Sequence, residues 1–227
     1  MTGAALRAFV TIAIALAAGV LWWVFSLALL EGPGERLAPL AAEALPRSGV
    51  GNPVTAVLLN FRAYDTLLEL AVLLAAVLGI WASGPPDRGF APAEIVLAGL
   101  VDWLVPLLIL AAGYLLWVGG QAPGGAFQAG AMLAAAGVVL RLAGTPRAGL
   151  PRGDWQRVLV VAGVAAFLAV GLALMAIGHG FLTYPPGHAK WLILTIETAA
   201  TLAIGATLAA AYVGGSPPDG PPGEDRA

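Results

Sequence analysis

The chain has 227 residues, of which 59% are hydrophobic and 11% charged, with a formal net charge of -2 and a mean hydropathy of +0.88. A soluble domain carries about 25% charged residues, so a large soluble domain is excluded, and without a basic cluster to track a phosphate backbone so is a nucleic-acid partner. With Cys 0, disulfides, thiol chemistry and iron–sulfur ligation are excluded as well.

What remains is an all-α integral membrane protein with about six transmembrane helices, each needing about 20 apolar residues. The first apolar run is 8–30, with Trp22 and Trp23 inside it. It is longer than the apolar region of a signal peptide and lacks a small-x-small cleavage pattern at its end, so it is expected to stay in the mature protein. A polar stretch, 31–52, follows. The second apolar run, 53–82, is too long for one straight span at about 1.5 Å per residue. A short amphipathic lead-in over 53–60, a break, and a true span over 64–81 fit it better, with SGPPDRG ending the helix.

The third span is expected over 101–118, with 92–100 as its amphipathic lead-in. The glycine-rich stretch GGQAPGGAFQAG, 119–130, precedes the fourth span, which ends near 139–142. The fifth and sixth spans are 158–177 and 189–213, and the Pro/Gly-rich tail 214–227 is expected to be disordered. Abundant small residues, Gly 30 among them, suit helices that pack closely. The loop between spans four and five holds Arg141, Arg147, Arg152 and Arg157. By the positive-inside rule this loop is cytoplasmic, which places both termini inside a cytoplasmic (inner) membrane.

Two sets of charges stand out. Asp65 and Glu69 are four residues apart and share a helix face. Arg62 joins their stripe if the helix reaches back that far. Such a stripe is either a headgroup-level rim or a polar path in which pairing with Arg62 tunes the carboxylates. Glu69 would lie roughly 7 Å into its span. Glu197 sits eight residues into span six, with Lys190 seven before it and Thr195, Thr198 and Thr201 nearby. A lone Glu near mid-bilayer costs about 2.5–3.5 kcal/mol or more, so it requires a partner or a proton. It belongs to a proton or ion path, touches a neighbouring protein of a complex, or is neutral and satisfied by a neighbouring helix.

Other signals are weaker. His179 and His188 flank TYPPG without the carboxylate or thiol set of a metal site. Pro123–Phe127, PGGAF, lacks the lysine and preceding strand of a phosphate loop, and is better read as a tight turn that lets two helices meet. Asp102 and Glu94 are expected at the interface. No nucleophile, cofactor-binding or metal set emerges, so neither an enzyme nor a cofactor is expected.

These motifs carry a resemblance. The segment 52–79 resembles the C-terminal part of the large A-type component of Mrp-type Na+/H+ antiporters and the E-type component of membrane-bound hydrogenases. Asn52, Thr55, Phe61, Arg62, Tyr64, Asp65, Thr66 and Glu69 match, whereas Asn60 replaces an Asp and Ala63 a Gly. Residues 91–213 resemble the MnhB-like (B-type) component of the same antiporters. Gly119, Pro123, Gly124, Gly125, Phe127 and Glu197 match, whereas Gly120 stands in place of a His and Ala126 of a third Gly.

The resemblance implies a two-helix module over 1–90 and a four-helix B-like domain over 91–213. It further implies a subunit of a multisubunit cation/proton antiporter that works beside other membrane subunits in the lipid bilayer. Glu69, Glu197 and Asp65 would form a proton or Na+ path, Arg62 would pair the carboxylates, and Pro123, Gly124, Gly125 and Phe127 would form a helix-packing loop. The alternative is a structural or ion-coupling subunit of a membrane-bound hydrogenase or related respiratory complex, with no translocation of its own.

Overall fold

A computed structural model describes residues 3–30, 37–84, 95–151, 153–185 and 187–215. All its regular elements are helical. The chain divides into two compact units, Met1–Leu40 and Ala41–Ala227. The first holds α1, Gly3–Leu30, apolar along its length and long enough to cross a bilayer. Its described side chains, Trp22 and Trp23 included, are largely exposed. A short helix α2, Leu37–Ala44, bridges the unit boundary.

The second unit contains the expected broken lead-in. Asn52 caps α3, Pro53–Ala56, by accepting the Val54 N–H, and Pro53 stands at the first turn where a missing N–H costs nothing. A π-turn, Val57–Phe61, follows, closed by the Arg62 N–H donating to the Val57 carbonyl at 2.8 Å. The Thr66 hydroxyl donates to Leu58 O at 2.7 Å, occupying a carbonyl that the break leaves open. Arg62 leaves helical geometry (φ -130°, ψ 39°) and α4, Ala63–Ala82, starts after it. Gly84, at φ +87°, follows the end of α4. Helix α5, Ile95–Val118, runs straight through the region expected as a separate lead-in. Ile95–Val118 is continuous because nothing in 95–100 breaks a helix, while 92–94 lie outside the described residues, as do Glu94 and the tail 216–227.

Helix α6, Ala126–Leu142, is 17 residues, about 26 Å long. Helix α7, Asp154–Ala176, starts four residues before the expected 158. Its first turn opens with Asp154, an acidic residue favoured at a helix N-terminus, whose carboxylate pairs with Arg157 at 3.3 Å. Helix α8, Ala189–Val213, closes the bundle. Five helices among the described residues are long and apolar enough to cross a membrane, and α6 is a shorter apolar one.

Helix α8 is the hub of the second unit. Its most apolar window is 61% buried, against 28% for α7 and less for α4 and α5. Helices α4, α5, α6 and α7 all touch it. Small residues make this possible: a Cβ on Gly130 of α6 would lie 2.7 Å from Ile204 Cβ, and one on Gly163 of α7 would lie 3.1 Å from Ala203 Cβ. In lipid the drive for such contacts is close packing rather than hydrophobic burial. Phe167, Ile193, Ile196, Ile204 and Leu70 fill the core.

Candidate functional site

The glycine loop joins α5 to α6, and its backbone folds back on α5. Gly119 N–H and Gly125 N–H both donate to Leu115 O, at 3.1 and 2.9 Å. A Cβ on Gly124 would lie 2.5 Å from that same carbonyl, and one on Gly119 would collide with the Gly125 nitrogen. The turn is therefore open only to glycine at these points. Phe127, just inside α6, packs against the core, and Pro123 is exposed on the turn.

Gly125 caps α6 with φ +108°, and its missing side chain makes room for Glu197. A Cβ there would lie 3.0 Å from Glu197 Oε1. Glu197 is 3% exposed, about 12 Å along α8 from its start, and accepts the Ala126 backbone N–H. That N–H is the first of α6, where the unsatisfied donors and the helix dipole favour a negative group. The carboxylate that looked isolated in sequence is thus held by the head of another helix.

A cavity of about 70 Å³ reaches Glu197, lined also by Lys190, Gln121, Gly120, Trp117 and Leu194. At roughly 30 Å³ per water it has room for about two. Lys190 is exposed and lies over the rings of Trp117 and Trp191, at 5.9 and 5.6 Å. A Cβ on Gly120 would meet nothing within 4 Å. Of the three threonines near Glu197, Thr195 and Thr198 are exposed, and their hydroxyls donate back to Trp191 O and Leu194 O. Only Thr201, one turn on, is buried, and its Oγ1 has no hydrogen-bond partner.

The segment before α4 is stitched to this loop. Asn52 Nδ2 donates to Gly119 O and Ala122 O, at 2.8 and 2.9 Å, and Thr55 Oγ1 donates to Gly119 O at 2.6 Å. Gly51 N–H and Asn52 N–H both donate to Gly120 O. Asn60, the position where the resembled family carries Asp, donates to Ser48 O at 2.9 Å. The motif residues Asn52 and Thr55 thus act as a clasp. The local signal, an Asn followed by Pro at a helix start, marks the cap but not the partner loop 67 residues away.

The charges of α4 lie elsewhere. Arg62 and Asp65 pair at 2.5 Å with both side chains well exposed. The helix does not continue back through Arg62, so no continuous stripe of three forms. Glu69, about 9 Å along α4, is exposed beside Leu68 and Val72 and is absent from the cavity that holds Glu197. His179 and His188 are exposed at one end of an apolar groove between α7 and α8, and Asp102 is exposed. No group of three His, Cys, Asp or Glu side chains converges among the described residues.

Comparison with known proteins places this geometry. Residues 96–216 match the family described as a domain related to the MnhB subunit of Na+/H+ antiporter. The A/B subunit of a probable K+/H+ antiporter from Rhizobium meliloti (strain 1021) is 25% identical over 197 residues, covering 71% of this chain and 19% of its own length. The chain thus spans about a fifth of that relative. Among solved structures, a chain of the membrane-bound sulfane sulfur reductase, an archaeal respiratory membrane complex, superposes with TM-score 0.67 at 25% identity. The match covers 92% of this chain and 97% of that one. A chain of the Mrp complex from Dietzia sp. DQ12-45-1b gives TM-score 0.64 at 25% identity, over 92% of this chain and 26% of that one. The family match takes in α6, α7, α8, the glycine loop and Glu197, and the chain belongs to the family of domains related to the MnhB subunit of Na+/H+ antiporters.

Proposed function

We propose that this chain is a membrane subunit of a multisubunit cation/proton antiporter, contributing to Na+/H+ exchange and to assembly, and that Glu197 is its principal ion-handling group. The observation that carries the reading is the placement of Glu197. A carboxylate buried in a membrane helix, set against the head of α6 and lining a small cavity with room for water, is built to exchange an ion with one aqueous side. The protein is a transporter component rather than an enzyme.

Glu69 has a different part in this proposal. An exposed carboxylate on a membrane helix, with Arg62 already engaged by Asp65, calls for a neighbour that supplies a cation, a donor or water. The α4 face around Glu69 is therefore assigned to another membrane subunit. There Glu69 and Asp65 would extend a proton or Na+ path across the subunit boundary.

The lipid bilayer is the cytoplasmic membrane, with both termini inside: seven of the 11 Lys and Arg fall at the cytoplasmic side on this assignment. The cavity then opens outward, so protons entering from outside would exchange for cytoplasmic sodium.

The test is antiport in inverted vesicles carrying the intact complex. Glu197→Gln is expected to abolish most exchange, and Glu69→Gln to reduce it, with the complex still assembled. Full activity in an assembled Glu197→Gln complex refutes the assignment. A second reading, a structural or ion-coupling subunit of a respiratory complex, is favoured by the near-complete coverage of the sulfane sulfur reductase chain. The subunit composition of the complex purified from its native membrane separates the two.

A further inference from the structure

The electrostatics of the Glu197 cavity bear on which ion reaches it. Among the described residues that line it, the only charges are Glu197 inside and Lys190 at the mouth. Two tryptophan faces hold the Lys190 ammonium there. A metal cation entering this way meets a like charge first. It then meets a carboxylate that already faces the positive end of α6.

Oxygen ligands are also scarce. The Gln121 amide is the remaining polar side chain, and the Gly120 carbonyl already accepts two backbone N–H groups. The other lining side chains, Val50, Trp117, Ile193 and Leu194, are apolar. Hard cations need a shell of several oxygens, which this lining does not offer. A proton needs only water and the carboxylate.

Farther along α8, the space between Leu70, Val164 and Ile204 has no room for water (≈ 0 Å³). The titratable groups of the neighbouring helices do not line the cavity: Arg62, just before α4, pairs with half-buried Asp65, Glu69 is exposed on α4, and Asp154 and Arg157 pair in the first turn of α7.

We propose that this cavity is a proton entrance that keeps metal cations from Glu197, and that Lys190 is the residue that excludes them. The proposal rests on the reading of Glu197 as an ion-handling carboxylate and specifies its ion. Na+ must then travel by another route, such as the α4 face at the subunit boundary.

The test is covalent labelling of Glu197 by dicyclohexylcarbodiimide in the intact complex, read by mass spectrometry. The reagent adds to protonated carboxyls: the carboxyl proton moves to a reagent nitrogen as the oxygen bonds the central carbon. A bound metal cation displaces the proton and slows the reaction by mass action. In the wild-type complex, labelling is expected to change by less than about twofold when about 100 mM choline is replaced by Na+ or K+. In Lys190→Gln, Na+ is expected to slow labelling by about fivefold or more. Lys190→Arg, which keeps the charge, should behave as wild type. Protection by Na+ in the wild type overturns the proposal. So does a Lys190→Gln complex that remains indifferent to Na+, or a wild-type Glu197 that takes no label at any pH. If Glu197→Gln abolishes antiport while Na+ protects the wild type, Glu197 keeps its ion-handling role and only the proton assignment falls.

Discussion

At the scale of single residues, the site depends on what is missing at Gly125. Its φ of +108° is a left-handed value that side chains rarely adopt, and a Cβ would press on Glu197 Oε1 at 3.0 Å. Gly125→Ala is expected to cost about 1–3 kcal/mol and to lower transport by displacing the carboxylate. Thermal unfolding of the purified complex and vesicle antiport check the two effects separately. Tyr184 is a contrasting case. Its buried hydroxyl has no hydrogen-bond partner, and burial pushes the phenol up. The folded state therefore holds this proton more tightly than the unfolded chain does. Stability from this group is complete at neutral pH and falls as pH rises above about 10. Tyr184→Phe should leave neutral-pH stability within about 1 kcal/mol and reduce the alkaline loss, which unfolding midpoints measured against pH would show.

At the scale of elements, the break before α4 is a joint rather than a defect. Asn52 both caps α3 and ties it to the glycine loop, and Thr55 adds a third side-chain bond to that loop. Asn52→Ala is expected to cost about 1–3 kcal/mol and to speed amide exchange in 119–125. Unchanged exchange there would show that the clasp does not hold the loop. Asn60 explains a departure from the resembled pattern. It acts as a donor to Ser48 O, a role an ionised Asp cannot fill. Asn60→Asp should therefore destabilise this chain by about 1–3 kcal/mol, read by the same unfolding assay. The apolar runs and this break were legible because charge and proline interrupt an otherwise hydrophobic pattern. The continuity of α5 through Ile95–Leu100 was not, since an amphipathic start and a plain helix differ little over six residues.

At the scale of the whole molecule, the consequence is a polarity along the membrane normal. The loops 48–52 and 119–125 and the start of α8 gather at one end of the second unit, joined by the contacts of Asn52, Gly120 and Lys190. On the proposed orientation that end faces outward. With no native cysteine, single substitutions report it cleanly. Thr183→Cys should react with an impermeant maleimide on intact cells, and Ser83→Cys only after permeabilisation. The reverse pattern would invert the orientation and the direction of proton entry. Both positions are exposed.

By itself the sequence determined that the chain is helical and membrane-embedded, roughly where it crosses, and that Glu69 and Glu197 are costly there. Those conclusions follow from transfer energies, which act residue by residue. Tertiary structure alone decided that α8 is the central helix, that Glu197 meets the head of α6, and that Glu69 faces outward. In a membrane chain the lipid-facing and protein-facing sides are both apolar, so periodicity does not tell them apart. Helix contacts are set instead by where small residues let backbones approach, as Gly130 does at Ile204, and that match exists only once the helices are packed.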